Sequence, residues 1–311
     1  MYKEFKQKLN FQKRSFLIII ISLLCFFLGQ IISSLIIQNF DPNLYHNILS
    51  QAELTNKELN ILKTAQFFSA FLSFVLPSIL CGILLFTNWK SQLKISKLNY
   101  KSSYFLIPFF LLLIMPFMNI IIHWNENIVF PQAFNQLETS LKASENSSKL
   151  LLNTLLSGSG INILIVNILL IAVLPAIGEE LFFRGLLQSH LNDYFKNPHI
   201  GIFISAFLFS AIHFQFYGFF PRLILGLIFG YLVFYSGSIL SSIIAHFFNN
   251  ALAVIIVYFQ NLGKLNQEIE SFGNSKNEII YTLLSLVFAI FIARILIINF
   301  QNQNKIANLG K

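Results

Sequence analysis

Residues 13–37 read KRSFLIIIISLLCFFLGQIISSLII. From Ser15 to Ile37 the stretch carries no Asp, Glu, Lys or Arg. At about 1.5 Å per helical residue, that length crosses the ~30 Å hydrocarbon core of a bilayer. A secretory signal would have a shorter apolar run and a small-residue cleavage site, so the stretch reads as a first membrane span. Similar runs recur, and the expected spans are 16–37, 67–87, 104–122, 161–178 (helical on to 194), 199–215, 220–236, 239–259 and 279–299. The segments are too long and too evenly apolar for barrel strands, which alternate. Of the 311 residues, 55% are hydrophobic and 11% are charged, against about 25% charged in soluble domains. The expected fold is an all-α polytopic membrane protein of about eight transmembrane helices.

The formal charge of +8 does not point to nucleic acid, because the basic residues form no patch or binding motif. They follow topology instead. Lys3, Lys6, Lys8, Lys13 and Arg14 precede the first span, and Lys90, Lys94, Lys97 and Lys101 lie between the second and third. Lys196, Lys305 and Lys311 fall on the same side if there are eight spans. Most acids, including Asp41, Glu58, Glu126, Glu138, Glu145 and Glu278, fall on the other. Positive residues mark the cytoplasmic side, so both termini are expected there. Abundant Phe, Ile, Asn and Lys suggest an AT-rich bacterial genome, hence a bacterial inner membrane. Cys25 and Cys81 lie within spans, which argues against a disulfide framework. The loop 38–66 is expected to be polar, and 132–156 reads as an amphipathic helix at the membrane surface.

One apolar run is interrupted by charge. Residues 176–188 read AIGEELFFRGLLQ. Ionised groups at membrane depth cost several kcal/mol unless paired, so they mark functional sites by default. Arg184 follows Glu180 by four residues, on one helix face and in the better order for pairing. Glu179 has Phe183 at that spacing and is the carboxylate left free for chemistry. Two further sites follow: His213, a turn after Phe209, and His246, four residues before Asn250. Counted from the flanking turns, Glu180 and His213 both lie about 21 Å along their helices, His246 about 10 Å and Asn250 about 16 Å. That is compatible with one cavity facing the cytoplasm. A carboxylate beside a histidine can take a proton from water and return it to a leaving amine. Histidine and asparagine on a facing helix can donate to an oxyanion. Glu179, His213 and His246 could equally hold a divalent metal such as zinc, which would activate the water.

At these residues the sequence resembles the CAAX protease and bacteriocin-processing family of intramembrane proteases, also called CPBP or Abi. Its E-E-x-x-x-R motif is matched by Glu179, Glu180 and Arg184. Its F-x-x-x-H motif is matched by Phe209 and His213, and its H-x-x-x-N motif by His246 and Asn250. The resemblance implies helices around a cytoplasm-facing cavity, in which Glu179 and His213 activate water and His246 and Asn250 stabilise the oxyanion. Arg184 would hold Glu180. The chain is expected to form one integrated domain, in which N-terminal helices (1–124) precede the catalytic core (125–260) and a last helix with its tail (261–311). The implied activity is an endopeptidase, with or without a divalent metal, related to type II CAAX prenyl endopeptidases and acting on membrane-associated or lipidated proteins or peptides. Two other readings stand beside it: a non-catalytic bacteriocin-immunity or scaffold protein, and a proton-coupled transporter, against which the missing internal repeat argues.

Overall fold

The computed structural model describes residues 6, 9–50, 54–98, 100–266, 272–275 and 278–309, and in these there is no strand. The principal helices are α1 (Phe11–Phe40), α2 (Asn56–Leu85), α3 (Ser103–Glu126), α4 (Asn135–Leu156), α5 (Ile161–Phe195), α6 (Pro198–Ala211), α7 (Phe219–Ser236), α8 (Ile239–Asn261) and α9 (Ile279–Leu309). Seven segments are long and apolar enough to cross a membrane, on α1, α2, α3, α5, α7, α8 and α9. The expected fifth span differs. Helix α6 has 14 residues, or about 21 Å, and the chain continues past it through a turn and the short 3₁₀ segment Phe216–Gly218.

The connections nevertheless gather at two ends, as eight passages require. At one end, the Lys6 ammonium donates to the Phe86 carbonyl at 3.1 Å. There too, Gln92 donates to Asp193 at 3.3 Å and the Ile239 amide donates to the Lys94 carbonyl. Leu98, Leu296 and Phe300 share a core cluster, which brings α9 to this end. At the opposite end, Asn125 donates to the Phe216 carbonyl at 3.1 Å and Asn261 to the Leu156 carbonyl at 3.4 Å.

One expectation is corrected here. Much of the 38–66 loop is helical: Leu44–Leu49 is a short helix, and α2 begins at Asn56 behind a capping box formed by Thr55 and Glu58. That signal stands in the sequence as Thr-x-x-Glu. The segment expected to be an amphipathic helix is one, α4, with most of its residues exposed. It packs on α2 and α8 and buries Leu155, Leu156, Glu138 and Glu145.

Local chemistry explains the shape of α2 and α5. Each contains a wider π-helical stretch, Phe71–Val75 and Ile168–Val173, ending two residues before a proline, Pro77 and Pro175. Proline lacks an N–H and clashes with the carbonyl four residues back, and a π turn accommodates both defects. The two helices meet where Gly178 faces the π stretch of α2. A Cβ there would stand 3.1 Å from Val75 Cγ2 and 3.2 Å from Phe74 Cβ, so any larger residue would press the two helices apart by a few tenths of an ångström.

Candidate active site

A third π-helical stretch, Leu181–Gln188, begins directly after Glu180, a position where such turns often accompany function. It carries Arg184 and Gln188, which reach across to α7. The Arg184 guanidinium donates to the Gly226 carbonyl and the Gln188 amide to the Gly230 carbonyl, each at 3.1 Å. Four-residue steps on both helices make this a matched ladder. The acceptors form a G-x-x-x-G pattern, which lets helices approach closely. A Cβ on Gly226 would lie 3.1 Å from Ala206 Cβ.

Glu180 is the hub of the site. Its Oε1 accepts from Arg184 at 2.8 Å and lies 2.9 Å from His246 Nδ1. Glu180 and Arg184 are both 0% exposed. Aromatic rings replace water around the cation: Arg184 Cζ sits 4.3 Å from the Phe209 ring centroid and 5.4 Å from that of Phe229. His246 stacks on Phe229 at 5.3 Å and meets Phe209 edge-on at 5.9 Å. Phe209 of the F-x-x-x-H pattern therefore walls both the arginine and the histidine, a role its spacing alone does not reveal.

An ionised Glu180 only accepts, so Nδ1 of His246 carries the proton and Nε2 faces the other way. That nitrogen lies 4.0 Å from Glu179 Oε2. The Glu179 side chain keeps 13% of its surface open, in contrast to the sealed Glu180. His213 sits just past α6, its Nδ1 2.9 Å from the Phe209 carbonyl and its ring edge-on to Phe209 at 5.5 Å. The next residue, Phe214, has φ +52°, the left-handed region that costs a side-chain-bearing residue about 1–2 kcal/mol. The chain reverses there into Phe216–Gly218.

Asn250 points elsewhere. Its amide donates to the Ile171 carbonyl at 3.1 Å, and its oxygen accepts from Asn249 at 3.2 Å. The structure thus draws Glu179, Glu180, Arg184 and His246 into direct contact, holds His213 beside them through Phe209, and ties Asn250 to the backbone of α5. Glu180, Arg184 and His246 form a buried polar core, and Glu179, His213 and Asn250 at its margin stay partly exposed.

Arg222, on α7, is a residue the sequence reading missed. Its guanidinium donates to the Gln215 carbonyl at 2.7 Å, while its Nε is buried without a partner. Glu179 and Glu145 both act on its charge. The available signal was a lone arginine opening an otherwise uncharged span, FFPRLILGLIFGYL. Glu145 of α4 joins it through Gln215, which donates to Glu145 Oε1 at 3.4 Å.

Among the described residues, no three His, Cys, Asp or Glu side chains gather as a metal-holding group. Within the set Glu179, His213 and His246, the Nδ1 atoms of both histidines are engaged, by Phe209 and Glu180. That leaves Nε2 of each histidine as the nitrogen a further partner could reach.

No curated protein and no solved structure gives a match to the chain. Residues 161–252, which hold all six candidate residues, match the family model described as type II CAAX prenyl endopeptidase Rce1-like, so this part of the chain is similar to a CAAX-type intramembrane protease core.

Proposed function

We propose that the protein is an intramembrane endopeptidase in which Glu179 is the general base. The observation that carries this reading is the pair Glu179 Oε2 and His246 Nε2, 4.0 Å apart, beside a Glu180–Arg184 pair that holds the imidazole in one tautomer. A water oxygen about 2.8 Å from each atom can donate one O–H to Glu179 and the other to His246. Its lone pair then faces the scissile carbonyl. The water oxygen bonds to the carbonyl carbon, Glu179 takes the proton, the C–N bond breaks, and Glu179 returns the proton to the leaving amine. His213, with Nε2 free, acts on the same water from the α6 side. Because His246 spends its Nδ1–H on Glu180, it suits water binding better than the oxyanion role. The second amide N–H of Asn250 and the Arg222 guanidinium are the donors proposed for the oxyanion.

The substrate class is a membrane-associated or lipidated protein or peptide, and the setting a bacterial inner membrane. Both termini are assigned to the cytoplasm, because Arg14, Lys90, Lys94, Lys97, Lys101 and Lys196 lie toward one end of the helix bundle. The test compares membrane-protein termini by mass spectrometry in cells carrying wild type or Glu179→Gln at equal abundance. New termini present only with wild type are expected. Normal turnover by Glu179→Gln would sink the assignment of the base. Unchanged turnover in the presence of a chelator is expected for the metal-free mechanism, and reversible loss would overturn it.

A further inference from the structure

A lateral groove of about 720 Å³ runs between α2 and the first half of α5. Its walls are apolar, with Phe67, Phe71, Leu169, Val173 and Ile177 among them, and at one end stands Lys63. Phe67, Leu169 and Ile177 are exposed, so the groove opens outward from the bundle toward the bilayer. Lys63 is 8% exposed, and among the described residues no hydrogen bond or ion pair is formed by its ammonium. A cation in that position costs several kcal/mol unless an anion meets it. None of the described residues supplies that anion.

The dimensions say what does. Lys63 lies seven residues into α2, about 10 Å from the helix start, near one end of that 30-residue span. From Val166 to Ile177 the α5 wall runs about 16 Å, close to half of the ~30 Å hydrocarbon core. The groove therefore has the length of one leaflet's acyl chain and a cation where that chain's headgroup sits. We propose that the α2–α5 groove binds an anionic phospholipid, with its phosphate on Lys63 and one acyl chain along Phe67, Phe71, Leu169 and Val173. The site ends at Ile177, two residues before Glu179. The proposal does not depend on the proteolytic reading, because it rests on the groove and its unpaired lysine alone.

The test is native mass spectrometry of the purified full-length protein, delipidated in detergent and titrated with phosphatidylglycerol or phosphatidylcholine of the same acyl chains. Wild type is expected to retain phosphatidylglycerol about fivefold over phosphatidylcholine, the factor for the ~1 kcal/mol that one lysine contributes at an anionic surface. Lys63→Met, which keeps the aliphatic stem, is expected to lose that preference, and Lys63→Arg to keep it. Leu169→Trp, which fills the groove, is expected to reduce retention of both lipids. Equal retention of the two lipids by wild type, or an undiminished preference in Lys63→Met, would overturn the proposal. So would displacement of bound lipid by an acidic peptide with no preference between the lipids, which would make the groove a peptide site.

Discussion

Replacing Arg184 with methionine tests the centre of the structure. Arg184 is fully buried, ion-paired to Glu180 at 2.8 Å and hydrogen-bonded to the Gly226 carbonyl of α7. Arg184→Met keeps the stem between Phe209 and Phe229 but leaves an ionised, 0% exposed Glu180 with only the neutral partners His246 and Ser242 among the described residues. Removing one partner of a buried pair costs about 3–5 kcal/mol. At roughly 2 °C per kcal/mol for a chain this long, Tm should fall by about 6–10 °C. The chain supplies its own reporter, because Cys25 and Cys81 are free and buried. A thiol-reactive fluorophore therefore reports unfolding during a thermal ramp in detergent. The double variant Glu180→Gln with Arg184→Met removes the stranded charge and still offers His246 an acceptor. A buried pair replaced on both sides is often close to neutral, so the double variant should recover several degrees. A loss under 2 °C in Arg184→Met, or a double variant no more stable than the single, would refute the role given to this pair.

Three further outcomes follow from the same geometry. Glu179→Gln and His213→Ala should leave Tm within about 2 °C of wild type while abolishing cleavage, because neither side chain joins the Glu180–Arg184 pair; a large fall in Tm would make them structural. Arg222→Met should lower kcat about tenfold through loss of a donor at the developing charge, with little change in Tm, and an unchanged kcat would remove Arg222 from the site. On α4, Glu138 is held below the usual carboxylate range by its hydrogen bond from Lys142 and then by the Phe130 amide. A depressed folded-state pKa contributes stability above the ordinary value of about 4.3 that is lost as pH falls. Protection factors of α4 amides, which divide out the slower intrinsic exchange in acid, should therefore fall from pH 6 to pH 4 in wild type, and Glu138→Gln should show a weaker fall.

How the candidate residues meet shows where sequence reasoning stops. Counting residues from the nearest turns put Glu180 about 21 Å deep and His246 about 10 Å, yet the two side chains are hydrogen-bonded. The turns are not level. Ser238, ahead of α8, is 1% exposed and donates to the Ser96 carbonyl, whereas Tyr194 and Phe195 at the end of α5 are exposed. Helix α8 thus starts deeper than α5 ends, and no helix-by-helix count contains that offset.

The linear sequence determined seven of the eight expected membrane spans, because roughly 20 uncharged residues have only one way to satisfy their backbone in lipid. It also determined the Glu180–Arg184 pairing, because a four-residue spacing sets two side chains on one helix face whatever surrounds them. Only the tertiary structure decided that Glu180 also holds His246, that Asn250 turns to the Ile171 carbonyl, and that Arg222 and Glu145 approach the site. Each of those depends on the relative depth and rotation of separate helices, which packing sets and no local periodicity records.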